Sequence, residues 1–144
     1  MITKPNVLNH IRAHAAETYP EECCGFLLGT AENGTNTVRA ARRVENRQSA
    51  DRERRYTITP DDYQAADAAA REEGLDIVGF YHSHPDHPAA PSETDLQEAT
   101  FPGYTYVIVA VRHGTPANLT AWTLAPDRSA FDPERINFVE STTA

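Results

Sequence analysis

Two unbroken apolar runs constrain the fold of this chain most: LDIVGFY at residues 75–81 and YTYVIVAV at residues 104–111. Both are rich in β-branched and aromatic side chains, which favours strands. Both are far shorter than the ~20 residues a membrane-spanning helix needs. Neither alternates apolar with polar residues, so neither can be a strand with one wet face; each reads as a strand buried on both sides. A sheet built around them must have helices covering both of its faces.

The rest of the sequence supplies those pieces. CGFLLG (24–29) and LTAWTL (119–124) read as further buried strands, and residues 36–45 as a weaker one. Val7, Leu8, Ile11 and Ala15 fall at helical spacing, predicting an amphipathic helix over 4–18 that Tyr19-Pro20 ends. Thr59-Pro60-Asp61-Asp62 is a helix start, with a hydroxyl cap, proline in the first turn and acids beside the positive end of the dipole. The alanine-rich helix that follows stops at Gly74. Ser92 opens a short helix, RRYTI (54–58) is expected to be a short strand, and DPERINFVE (132–140) a final turn or helix. The expected class is therefore α/β (α+β): one domain over residues 1–144, with a central mixed sheet flanked by helices.

Composition narrows the function. The formal charge of −8 argues against general nucleic-acid binding. MITKPNVLNH lacks the apolar core of a signal peptide, so cytoplasmic residence is expected. The two cysteines, Cys23 and Cys24, are adjacent, which excludes a disulfide framework. The acidity is uneven: Arg39, Arg42, Arg43, Arg47, Arg52, Arg54 and Arg55 are seven of the twelve arginines. Residues 46–55 are expected to form a mobile, solvated loop whose arginines pair with Glu45, Asp51 and Glu53. The alternative is a local basic surface that docks an acidic partner or a chain-terminal carboxylate.

Chemistry concentrates in GFYHSHPDHPAAPSETD (79–95), which holds three histidines and two aspartates. His82 and His84 follow a buried strand at i and i+2, so in extended chain they face the same way, roughly 6.5 Å apart along the backbone. Two imidazoles so placed can share one ion, with Asp86, His87 or Asp95 as the third donor. Ser92 and Asp95 also fit a helix capping box, which would bring the hydroxyl and the carboxylate together at the helix end. Two patterns overlap here. His82, His84, Asp86 and His87 match the two-metal signature of the metallo-β-lactamase superfamily. That fold needs further ligands downstream, and after His87 only 57 residues and one more histidine, His113, remain.

The other pattern is His82-x-His84-Pro85, six residues, then Ser92-x-x-Asp95, with Glu22 in EECCGFLLG far upstream and three residues before a glycine. In these motifs, and in the order of helices and strands along the whole chain, the sequence resembles the JAMM (MPN-plus) metalloproteases. The resemblance implies a cytidine-deaminase-like α/β sheet and one zinc ion per chain held by His82, His84 and Asp95. It implies Glu22 as the catalytic base and Ser92 as donor to the developing oxyanion. Glu21 and Glu22 point to opposite faces in extended chain, and the position in the family motif, not periodicity, selects Glu22. The compact form resembles peptidases that act after the C-terminal Gly-Gly of ubiquitin-like or sulfur-carrier proteins, releasing cysteine or a lysine-linked conjugate. The Arg39–Arg55 stretch would line or cover the groove for that tail. Two alternatives stand beside it: the two-metal hydrolase, and a non-catalytic scaffold of the same fold. Asp86 and His87 are expected to be exposed loop residues. His10, His14 and His113 are expected to be surface or core residues. The cysteines are expected to be small buried hydrophobes, with no histidine tied to Cys24 as a nucleophile's partner.

Overall fold

The computed structural model describes residues 1–139. Its elements run β1 (Ile2–Thr3), α1 (Pro5–Thr18), β2 (Cys24–Glu32), β3 (Thr35–Val44), α2 (Pro60–Glu72), β4 (Asp76–Pro85), α3 (Glu93–Glu98), β5 (Thr105–Arg112), β6 (Thr115–Leu124), β7 (Phe131–Glu134) and β8 (Asn137–Phe138). All the strands join one sheet in the order β7-β6-β5-β4-β2-β3-β1-β8. The two apolar runs, β4 and β5, sit at its centre as a parallel pair, and antiparallel partners, β2 and β6, flank them.

Each face of the sheet has its own core. On one, Val7, Leu8, Ile11 and Ala15 of α1 pack on Val78, Tyr81, Val107, Val109 and Val111. On the other, Ala66 and Ala70 of α2 pack on Phe26, Leu28, Ile77, Phe80, Tyr106 and Leu124. The unbroken runs are apolar throughout because successive side chains enter different cores, and each fully buried large side chain contributes about 1.5–3 kcal/mol. Gly25 is needed by this packing: a Cβ there would stand 2.2 Å from the Tyr81 ring.

Most predicted elements are present, with three differences. RRYTI is irregular chain, not a strand. Arg55 and Thr57 are tied to the side chain of Asn46 rather than to a strand neighbour. The stretch from 132 is neither turn nor helix within the described residues: it supplies most of β7 and all of β8, pairing with β6 and β1, while Glu140 lies outside them. Pro133 is tolerated because β7 is an edge strand. The third difference is in the arginine-rich segment. Arg47 pairs with Glu45 as expected, but also with Asp62, and Arg43 pairs with Glu17. Asp51 and Glu53 form no ion pair among the described residues, since the partners are fixed by strand and helix ends rather than by nearness in sequence.

Candidate metal centre

The strand β4 runs past LDIVGFY through both histidines to Pro85. Phe80, His82 and His84 therefore share one face, and the aromatic core that begins at Phe80 leads directly to two imidazoles. Both are buried. The chain then turns through Pro85–Pro91 and re-enters as α3, whose cap brings Asp95 back over the strand. Ser92 Oγ accepts from the Asp95 amide at 3.0 Å, and the Ser92 amide donates to Asp95 Oδ2 at 2.9 Å. The expected capping box is present, and the residue that closes it is also the third donor.

Three atoms converge. His82 Nε2 and His84 Nε2 are 3.1 Å apart, and Asp95 Oδ2 lies 3.0 Å from His84 Nε2 and 3.2 Å from His82 Nε2. Tetrahedral ligands at about 2.0–2.1 Å from zinc stand about 3.3–3.4 Å from one another, so this triangle is close to one face of such a site. The protonation states suit a cation. His84 Nδ1 lies 2.8 Å from the Pro88 carbonyl, so Nδ1 carries the proton and Nε2 presents a lone pair. Burial lowers the pKa of His82 and keeps it neutral. Burial alone would raise the pKa of Asp95, but the Ser92 amide donates to its Oδ2 and favours the carboxylate. Two imidazoles and one carboxylate form the only group of three or more such donors that could hold a metal ion among the described residues.

Asp86 and His87 are not part of it. Asp86 adopts a left-handed φ of 57°. Its carboxylate accepts from the Tyr19 hydroxyl at 2.5 Å and from the His113 amide at 2.8 Å, tying the end of α1 to the β5–β6 turn. His87 is exposed.

Glu22 reaches the site through strand register. Cys24 pairs with His82, and the Ser83 amide donates to the Cys23 carbonyl at 3.2 Å. Continued one residue further, that register sets Glu22 opposite His84 on the same face, while Glu21 points away and is exposed. Ser83, the residue between the two histidines, locks the alignment: its buried Oγ accepts from the Cys23 amide at 2.8 Å. Glu22 is 4 % exposed, and its Oε1 has no hydrogen-bond partner among the described residues. Burial, reinforced by the nearby Asp95 and Glu98, pushes its pKa up to about 9.

The segment after β3 closes over this end of the sheet. Glu22 donates its amide to the Arg52 carbonyl at 2.8 Å, and Asn46 Nδ2 donates to the Glu22 carbonyl at 3.2 Å. Tyr56 stacks on the His82 imidazole, with centroids 4.6 Å apart and planes at 25°. It also lines a cavity of about 570 Å³ whose wall includes Tyr63, Phe80, Phe101 and Tyr106. Sequence reasoning missed Tyr56, Asn46 and Ser83 as neighbours of the site. Only the x position of the His-x-His motif carried any signal for one of them.

The remaining polar residues are structural. His14 is buried, with Nδ1 2.7 Å from the Tyr81 hydroxyl, and burial lowers its pKa to about 4. Burial pushes the Cys23 thiol up to about 12 and the Cys24 thiol higher still, which leaves neither a thiolate nucleophile.

Fold and site together define a mixed α/β domain with a donor set of two buried histidines and a half-buried aspartate, and a carboxyl group beside it. Matching the prokaryotic homologs of the JAB domain over residues 4–125, the chain belongs to that family. It is 39% identical over 105 residues to a desampylase of Haloferax volcanii, covering 73% of each chain. Over 141 residues it is 29% identical to a CysO-cysteine peptidase of Mycobacterium tuberculosis, covering 97% of this chain and 92% of that one. A solution structure of a Salinibacter ruber protein superposes with a TM-score of 0.79 at 63% identity, covering 98% of this chain and 93% of that one.

Proposed function

We propose that this chain is a zinc-dependent peptidase or isopeptidase that cleaves the bond after the C-terminal Gly-Gly of a ubiquitin-like or sulfur-carrier protein, freeing cysteine or a lysine-linked conjugate. The convergence of His82, His84 and Asp95 with Glu22 at their side carries the reading. Zinc in this donor set supplies a Lewis acid and water acidified toward a pKa of ~7. Glu22 takes the proton from the attacking water and returns it to the leaving amine. In the metal-free chain burial favours the protonated carboxyl; a cation held beside it would favour the carboxylate that accepts the proton. The Ser92 Oγ accepts from the Asp95 amide, so its hydroxyl hydrogen remains free to donate to the oxyanion that forms as the carbonyl is attacked. Glycine has no side chain, so a Gly-Gly tail can lie extended against narrow backbone next to the donors. The Arg39–Arg55 segment, which carries the Arg52 carbonyl and Asn46 to Glu22, borders that path.

The named relatives, a desampylase and a CysO-cysteine peptidase, support a carrier protein as the substrate class. The test is to incubate the purified chain with a Gly-Gly carrier extended by one residue, with and without chelator. Cleavage after the second glycine, lost with chelator and restored by one equivalent of zinc, is expected. An intact fusion in the presence of zinc would reject the reading.

A further inference from the structure

The two histidines of the donor set are held in different ways. The His84 ring is fixed at its far nitrogen by the Pro88 carbonyl at 2.8 Å. The corresponding nitrogen of His82, Nδ1, is buried and has no hydrogen-bond partner among the described residues. A metal-binding imidazole normally donates from its second nitrogen to a partner that sets the angle of the ring, and losing that partner typically weakens the metal ~10–100-fold. What His82 has in its place is a flat surface: the Tyr56 ring lies along its face, with centroids 4.6 Å apart and planes at 25°. Rotation of the imidazole about its bond to Cβ would drive its edge into that ring.

Tyr56 is itself held. The backbone on each side of it is pinned to one side chain, with Asn46 Nδ2 donating to the Arg55 carbonyl at 2.9 Å and the Thr57 amide donating to Asn46 Oδ1 at 3.1 Å. The same Asn46 Nδ2 donates to the Glu22 carbonyl at 3.2 Å. A stretch with no regular structure thus presents an aromatic face at a defined place, tied to the backbone of the proposed base.

We propose that Tyr56 is a positioning residue for the metal centre, its ring orienting the His82 imidazole in place of the absent hydrogen bond at Nδ1. The role belongs to the ring and not to the hydroxyl. It rests on the reading that His82, His84 and Asp95 hold zinc.

Zinc affinity, measured by competition with a chromophoric chelator, tests this on wild type, Tyr56→Phe, Tyr56→Leu and Tyr56→Ala. Tyr56→Ala and Tyr56→Leu are expected to bind zinc ~10-fold or more weakly, and Tyr56→Phe within ~3-fold of wild type. The absorption bands of the cobalt-substituted protein should shift in Tyr56→Leu and not in Tyr56→Phe. Because Leu retains apolar bulk, it separates loss of orientation from loss of packing, as does an unchanged unfolding midpoint of the metal-free form. Wild-type affinity in both Tyr56→Ala and Tyr56→Leu overturns the proposal, and so does a Tyr56→Phe variant as weak as Tyr56→Ala. A wild-type chain that binds no zinc removes the peptidase reading as well, whereas a defect absent from all three variants removes only the role of Tyr56.

Discussion

Replacing Glu22 by glutamine removes an ionisable group from a place where its charge is disfavoured. Glu22 is 4 % exposed, one carboxyl oxygen has no partner among the described residues, and burial raises its pKa from 4.5 to about 9. In the unfolded chain the carboxyl loses its proton near the lower value; in the folded, metal-free chain it keeps it until the higher one. Between those values the folded state holds one extra proton, so stability falls with rising pH by about 1.4 kcal/mol per unit. The contribution is complete below pH 4.5 and is lost as pH rises toward 9. At pH 7 the accumulated cost is at most about 3.4 kcal/mol, or about 7–14 °C in Tm for a chain of this size. Glutamine keeps the shape and cannot ionise. Metal-free Glu22→Gln should therefore match wild type near pH 5 and become progressively more stable than it toward pH 8, while peptidase activity falls ~10²–10⁴-fold. Urea unfolding of both proteins in chelator at pH 5, 6, 7 and 8 measures the difference. Zinc should narrow the gap, because a nearby cation favours the carboxylate. Parallel pH curves for the two proteins would show that Glu22 is not held as a buried acid, and the argument for its role as base would fail.

Ser92→Ala should cost about 1 kcal/mol of stability through the lost cap and ~10²–10³-fold in kcat with zinc still bound; a loss below fivefold in kcat would leave the oxyanion without its assigned donor. Ser83→Ala leaves the buried Cys23 amide without its acceptor, which should destabilise by about 1–3 kcal/mol and lower kcat while zinc affinity stays constant, with Ser83→Thr restoring both; equal loss of zinc affinity would show that Ser83 serves the histidines rather than Glu22. Asp86→Asn keeps a residue that tolerates the left-handed turn and should retain one zinc per chain and activity within ~3-fold, by metal analysis and fusion cleavage; two zinc ions in wild type and one in the variant would reinstate the two-metal hydrolase.

Much of this was legible because local rules and tertiary packing agree. The unbroken runs in β4 and β5 require a doubly covered sheet, and the caps at Thr59 and Ser92 mark helix starts wherever those helices pack. The motif that places His82, His84, Ser92 and Asp95 is likewise short-range: strand periodicity sets the two imidazoles on one face, and one capping box carries the carboxylate. RRYTI fails for the converse reason. Its β-favouring residues sit where no strand edge is available, so Asn46 takes the Arg55 carbonyl and the Thr57 amide, and the Arg47 amide takes the Thr57 carbonyl. The C-terminal segment fails because edge pairing with β6 and β1 depends on partners more than a hundred residues away for β1, which no local pattern reports.

By itself, then, the sequence determined the covered sheet, the helix starts and the donor set, since each depends on residues within about a dozen positions of one another. Only the tertiary structure shows that Glu22 is buried on the histidine face while Glu21 is exposed, through a register in which Cys24 meets His82 across 58 residues of chain. It also removed Asp86 from the site by engaging it with Tyr19 and His113, and it laid Tyr56 on His82. Those outcomes follow from strand register and the path of an irregular segment, which the packing of the whole sheet fixes and a local pattern does not.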